Sequence, residues 1–335
     1  MVQDPGRHRS LQAGGIRTRR HILLKRNPDY YQEPAKLDSI RFLLAGGTPM
    51  VMYENNEIQV TGVGLADLDR VKDPKSPLNK DLHKAPPSFE TSYLGLNVNM
   101  PPLDDVKVRQ ALNLAITKEE IATKALAGLV VPAYGVLPPG FPAYNKDLKG
   151  LTYDPQKAKQ LLSESKYGSD PAKFPRLTLT VPGSMGSNIG PDLEAIIATW
   201  RDTLGINVEI QQVEWATFLK DLHAYRIQMS AVAWGADYPD PQNFLDLLFH
   251  SGSVNNETRY SNPEVDKLLE AARTERDEKA RFDMYQKAEQ MIVNDAPWVP
   301  LWYSGEGYIL IKPQVKDYIL SPMTIPKYRF IYLEK

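Results

Sequence analysis

The chain has 335 residues, a formal net charge of -1, 42% hydrophobic and 24% charged residues, and no cysteine. That length accommodates two ordinary domains. The balanced charge argues against a nucleic-acid partner, no apolar run approaches the roughly 20 residues of a membrane span, and the missing thiols exclude disulfides, thiolate zinc sites and cysteine nucleophiles.

In chain order, residues 1–20 show neither helical nor strand periodicity and no apolar core of a signal peptide. Residues 21–26 and 38–43 read as strands, Pro49 to Glu57 as a short helix and Ile58 to Val63 as a strand. Residues 71–90, rich in Lys, Pro and Asp, read as a connector. Asp104 or Asp105 caps a helix over "VKVRQALNLAI", and Thr117-Lys-Glu-Glu120 has capping-box form for a helix running to Gly128. Pro and Gly make 130–145 a packed loop. Asp154-Pro155 opens a helix that ends near Gly168. Strand 176–181, helix 191–205, strand 206–215, a helix over "ATFLKDLHAY" and strand 227–235 then alternate. This β-α-β-α-β series predicts parallel strands with right-handed crossovers, and ligands of such sheets sit beyond the strands' carboxyl ends. Asn262-Pro263 and residues 276–294 mark two further helices, and 298–303 and 307–312 two further strands. The predicted class is α/β with mixed sheets and flanking helices.

Six stretches in order carry a resemblance: "KRNPDYY" (25–31), "YLGLN" (93–97), "PPLDDVKVRQALNLAITKEEI" (101–121), "WGADYPDPQNFL" (234–245), "YSNPEVDKLLEAA" (260–272) and "YQKAEQMIVNDAPWVPLWY" (285–303). Together they resemble the extracytoplasmic solute-binding proteins of ABC importers, in the oligopeptide, dipeptide and nickel class. The resemblance implies a periplasmic-binding-protein-like fold of two lobes that close on a ligand, with lobe I incomplete here. Residues 21–90 and 305–335 are expected to form part of lobe I, and 91–304 lobe II. It further implies an extracytoplasmic location and a membrane permease as partner. A monomer is expected for the intact protein, and a dimer or aggregate for a chain lacking part of lobe I. No nucleic acid, cofactor or enzymatic activity is expected.

The same resemblance supplies a reading of the N-terminus. Relatives carry Pro-Val-Gly-Thr-Gly-Pro-Phe-Lys-Leu shortly before the stretch matching "KRNPDYY". Suitable codons for Pro5 to Ala13 encode that motif in the neighbouring frame. Residues 1–20 are therefore expected to be an out-of-frame, disordered segment.

Candidate site residues cluster at the end of strand 227–235. Asp237 matches the family acid that pairs with a bound peptide's amino terminus by a charge-assisted hydrogen bond. Ala233, Trp234 and Gly235 match the strand end that pairs with an extended ligand. Tyr238 and Trp215 are further candidates, Trp215 as the last residue of its strand with a core role as the alternative. Asp240 reads as the cap of the next helix. Trp200 reads as core; Trp298 and Trp302 are open between core and cleft. The histidines His8, His21, His83, His223 and His250 have no metal-ligand spacing, so no metal site is expected. Dipeptide-binding members carry an arginine near the start of the helix matching 191–204. Here Gly190, Pro191 and Asp192 stand there. Oligopeptides are therefore expected rather than dipeptides, with an oligosaccharide as the alternative ligand. Two other readings compete: an inactive truncated or frameshifted fragment, and a hydrolase using Asp237 and Asp240.

Overall fold

The computed structural model of the chain describes residues 10–17, 21–44, 47–168, 174–183, 189–323 and 327–334. They form two compact units, one running through Pro86 and resuming at Glu306, the other spanning Pro87–Gly305.

The first unit holds three small sheets. In one, β1 (Leu11–Arg17), β2 (His21–Arg26) and β3 (Ser39–Leu43) lie antiparallel in sequence order. Strand β1 corrects the expectation of disorder across 1–20. Antiparallel pairing is made by main-chain groups, so β1 needs no side-chain alternation, and its register slips between Ala13 and Gly15. The rest of that expectation falls on 1–9 and 18–20, outside the described residues. Next come α1 (Pro49–Glu54), β4 (Val60–Gly62), α2 (Leu68–Lys72) and β5 (Leu82–Ala85). The connector expected over 71–90 thus contains a strand. Its partner, distant in sequence, is β12 (Gly307–Ile311), which runs between β4 and β5. Met50, Tyr53, Val71, Leu78 and Leu310 form the core beneath. A two-stranded ladder, β13 (Val315–Lys316) with β14 (Tyr332–Leu333), completes the unit.

The second unit is built on one six-stranded sheet. Its elements are β6 (Glu90–Leu96), α3 (Val106–Leu114), α4 (Lys118–Lys124), β7 (Val130–Pro132), α5 (Pro155–Glu164), β8 (Leu177–Pro182), α6 (Pro191–Leu204), β9 (Val208–Val213), α7 (Trp215–His223), β10 (Met229–Gly235), α8 (Leu245–Phe249), α9 (Pro263–Thr274), α10 (Glu278–Asp295) and β11 (Trp298–Ser304). The strand order is β7-β11-β6-β10-β8-β9. As predicted, β8, β9 and β10 are parallel. The neighbours β6, β11 and β7 are antiparallel, so the sheet is mixed. Strand β6 is central and was missed as an element, because a strand buried on both faces has no polar alternation to read.

The caps explain the helix starts. Asp105, Asp154, Asn262 and Asp277 accept backbone N–H bonds at the starts of α3, α5, α9 and α10. Thr117 corrects the capping-box reading: its side chain makes no cap bond. The next residue, Lys118, is instead buried and donates to the Ala133 carbonyl at 2.9 Å. The core gathers Leu94, Leu96, Leu112, Leu179, Met229 and Val299 around Trp200. Trp200 is fully buried and its Nε1 donates to the Leu112 carbonyl at 2.8 Å. Trp298 and Trp302 are also buried.

Candidate ligand-binding site

Strand β10 pairs with β6 along its whole length, from Met229 opposite Leu96 to Gly235 opposite Glu90. On its other edge it pairs with β8 only at Met229 and Ser230. From Ala231 to Gly235 that edge faces no strand among the described residues. An unpaired run of alternating N–H and C=O groups is a template for one more extended chain. Strand β8 meanwhile stays paired with β9 through Pro182, opposite Val213.

The chain bends as it leaves β10. The Ala236 N–H donates to the Phe89 carbonyl at 2.8 Å, and Ala236 is buried. Ala233, Asp237 and Tyr238 are exposed, and Trp234 is half-buried. The Asp237 carboxylate has no hydrogen-bond or ion-pair partner among the described residues, while its backbone N–H donates to Asn243 Oδ1 at 3.1 Å. Trp234 Nε1 donates to the same oxygen at 3.3 Å. The Tyr238 hydroxyl donates to the Gln242 side-chain oxygen. Burial holds the Glu90 carboxyl above its ordinary range.

Asp240 is engaged differently. Its Oδ1 accepts the Gln242 N–H at 3.0 Å, capping the turn Pro241–Asn243, and pairs with Arg281 Nη2 at 2.7 Å. The cap reading was right; the ion pair with α10 is additional.

Trp215 is neither the end of its strand nor core. It is the first residue of α7, 54% exposed, stacked on Phe218 with ring centroids 5.7 Å apart. Strand β9 stops earlier because Glu214 turns out of it and caps α7 through Ala216 and Thr217. Trp215 and Asp237 nevertheless both follow the carboxyl ends of parallel strands, on the side of the sheet where ligands are expected. At the start of α6, Asp192 Oδ2 accepts from Trp302 Nε1 at 2.9 Å, so this position serves packing. Among the described residues no group of three His, Asp or Glu side chains is placed to hold a metal ion. No helix there is long and apolar enough to cross a membrane.

Sequence reasoning missed Asn243. It stands in the quoted "WGADYPDPQNFL", but an asparagine within a turn carries no distinguishing signal until its oxygen is seen between Trp234 and Asp237.

Residues 15–256 match the bacterial extracellular solute-binding proteins, family 5 (middle), and the chain belongs to that family. It is 33% identical over 285 residues to Heme-binding protein A of Haemophilus influenzae, covering 84% of this chain and 49% of that protein. It is 29% identical over 311 residues to the dipeptide-binding protein DppE of Bacillus subtilis, covering 90% and 55%. Its fold is similar to the periplasmic binding protein DppA of Helicobacter pylori in complex with the peptide STSA. The TM-score is 0.85 at 26% identity, over 97% of this chain and 63% of that one. The murein tripeptide binding protein MppA of Escherichia coli gives a TM-score of 0.85 at 25% identity, over 97% and 64%. The chain thus spans about half the length of the curated relatives it matches. Its architecture is that of the periplasmic binding proteins, as the motifs implied.

Proposed function

We propose that this chain is part of an extracytoplasmic receptor that captures peptides for an ABC importer. Pro87–Gly305 corresponds to the ligand-binding lobe II, and the other unit to part of lobe I. An extended peptide adds to the free edge of β10 at Ala231–Gly235, with its amino terminus on Asp237 and its chain across Trp234. Tyr238 and Trp215 border the same end of the sheet. The observation that carries this reading is the conjunction, among the described residues, of an unpaired strand edge with an exposed, unpartnered carboxylate just past its end. Main-chain pairing accepts any side chains, which suits oligopeptides. The relatives' names, DppE and the STSA-bound DppA among them, support a peptide ligand.

A non-enzymatic role fits the acids. Asp240 is committed to a cap and to Arg281, so Asp237 and Asp240 do not form a free acid pair for general acid–base work. The permease is the partner that delivers the ligand across the membrane.

The test uses the whole chain. It is purified, its co-purifying ligands are identified by mass spectrometry, and binding of an equimolar library of synthetic pentapeptides is measured by calorimetry. Binding is expected with free amino termini, and Asp237→Asn is expected to weaken it about tenfold or more, as loss of a charge-assisted bond implies. Recovery of haem or oligosaccharide without peptide, or equal binding of N-acetylated peptides, overturns the reading.

A further inference from the structure

We infer that Asn243 is a positioning residue that holds the peptide anchor and the aromatic platform in one fixed arrangement. The inference rests on the peptide-binding reading and adds a residue to it.

Asn243 is fully buried. Its Oδ1 receives the Trp234 indole N–H at 3.3 Å and the Asp237 backbone N–H at 3.1 Å. Two donors converging on one atom fix the orientation of the amide, since only an oxygen accepts both. The first bond sets the rotation of the Trp234 ring. The second sets the main chain of Asp237 and so the direction in which its carboxylate leaves the strand end. Asn243 is itself held, because its backbone N–H donates to the Asp240 carbonyl at 2.9 Å and the Asp240 side chain is tied to Arg281. A chain of contacts thus runs from α10 to the two side chains that meet the ligand.

The amide's other end sharpens the point. Asn243 Nδ2 is buried without a hydrogen-bond partner among the described residues. An unpaired buried donor destabilises a protein, so leucine, of similar volume, would suit a position serving packing alone. What asparagine supplies and leucine does not is the oxygen that couples Trp234 to Asp237. Pre-set geometry raises affinity by cutting the cost of ordering these groups on binding.

The test is the ratio of affinities for the free-amine pentapeptide library and its N-acetylated counterpart. The ratio is taken within each protein, so a fraction of inactive material cancels. Wild type is expected to prefer free amines. Asn243→Leu is expected to lose that preference by on the order of tenfold, since two modest hydrogen bonds position the anchor. Asn243→Asp, which keeps the acceptor, is expected to retain it. If Asn243→Leu does not fold, Asn243→Ser removes the carbonyl and asks the same question. A wild type that prefers free amines, with an unchanged ratio in the leucine variant, or in the serine variant where the leucine variant does not fold, overturns the role of Asn243 alone. A wild type with no preference overturns the amine-anchor reading and this inference with it.

Discussion

Arg281 on α10 reaches Asp240 at 2.7 Å through the same carboxylate oxygen that caps the turn leading to α8. Both side chains are largely covered, 21% and 35% exposed, and the carboxylate holds the Arg281 guanidinium above its ordinary range. Asp240→Ala removes a cap, worth about 1 kcal/mol, and leaves a partly buried cation without its partner. A loss of about 1–3 kcal/mol in urea unfolding is expected. Asp240→Asn, which keeps the cap acceptor, should lose less. Unchanged stability together with lost peptide binding would move Asp240 from the scaffold into the site.

Two tryptophans should separate cleanly. Trp200 is fully buried and its indole N–H satisfies the Leu112 carbonyl. Trp200→Phe leaves a void and an orphaned acceptor, and a loss of about 2–4 kcal/mol is expected. Trp215 is 54% exposed. Trp215→Ala should cost no more than about 1 kcal/mol, the part due to its stacking on Phe218. Equal losses in denaturant midpoints would contradict this division.

Much of the second unit was legible because its helices carry their own punctuation. Asp154-Pro155, Asn262-Pro263 and Gly205 mark ends where a side chain or a left-handed residue settles the matter locally. Strand β5 was not legible, because its partner β12 lies more than 200 residues away and the Lys- and Pro-rich surroundings dominate a local window. Strand β1 was hidden for a different reason: its partner β2 is next in sequence, but the pairing is made by main-chain groups and requires no side-chain alternation. At the candidate site, Asp237 and Trp234 followed from a motif and a strand end. Trp215 was misplaced by one structural boundary, set by the Glu214 cap, and Asn243 was invisible because its role exists only once β10 and the following turn have folded together.

The loop after β7 depends on a glycine for space rather than for backbone freedom. A Cβ on Gly135 would collide with Leu148 Cδ2 and lie 2.8 Å from Glu289 Oε1. The Gly135 N–H also donates to the Tyr303 hydroxyl at 3.0 Å, so the backbone has little room to retreat. Gly135→Ala is expected to destabilise by about 1–3 kcal/mol, as overpacking does. A thermal midpoint equal to wild type would show that Leu148 yields without cost.

Glu289 lies beneath the same loop and gives a pH signature. Its Oε1 accepts the Val136 and Leu137 N–H groups at 2.7 and 2.9 Å, while Oε2 is buried without a partner among the described residues. Burial pushes its carboxyl from about 4.5 up to about 7, against the two N–H bonds. The folded protein therefore keeps a proton between pH 4.5 and 7 that the unfolded chain has released. In that window the contribution of Glu289 to stability falls as pH rises, and above it stays constant. Burial also brings Lys118 down to about 7, and this acts in the opposite sense from pH 7 to 10.5, where the unfolded chain holds the extra proton. Glu257, also raised to about 7 by burial, acts like Glu289. Glu289→Gln keeps an acceptor for both N–H groups and cannot ionise. The variant is expected to gain on wild type by about 2 kcal/mol more at pH 7.5 than at pH 5.0. Part of the wild-type slope should persist through Glu257. Urea midpoints at the two pH values measure the difference, and a shift of equal size at both would show that Glu289 does not titrate with folding.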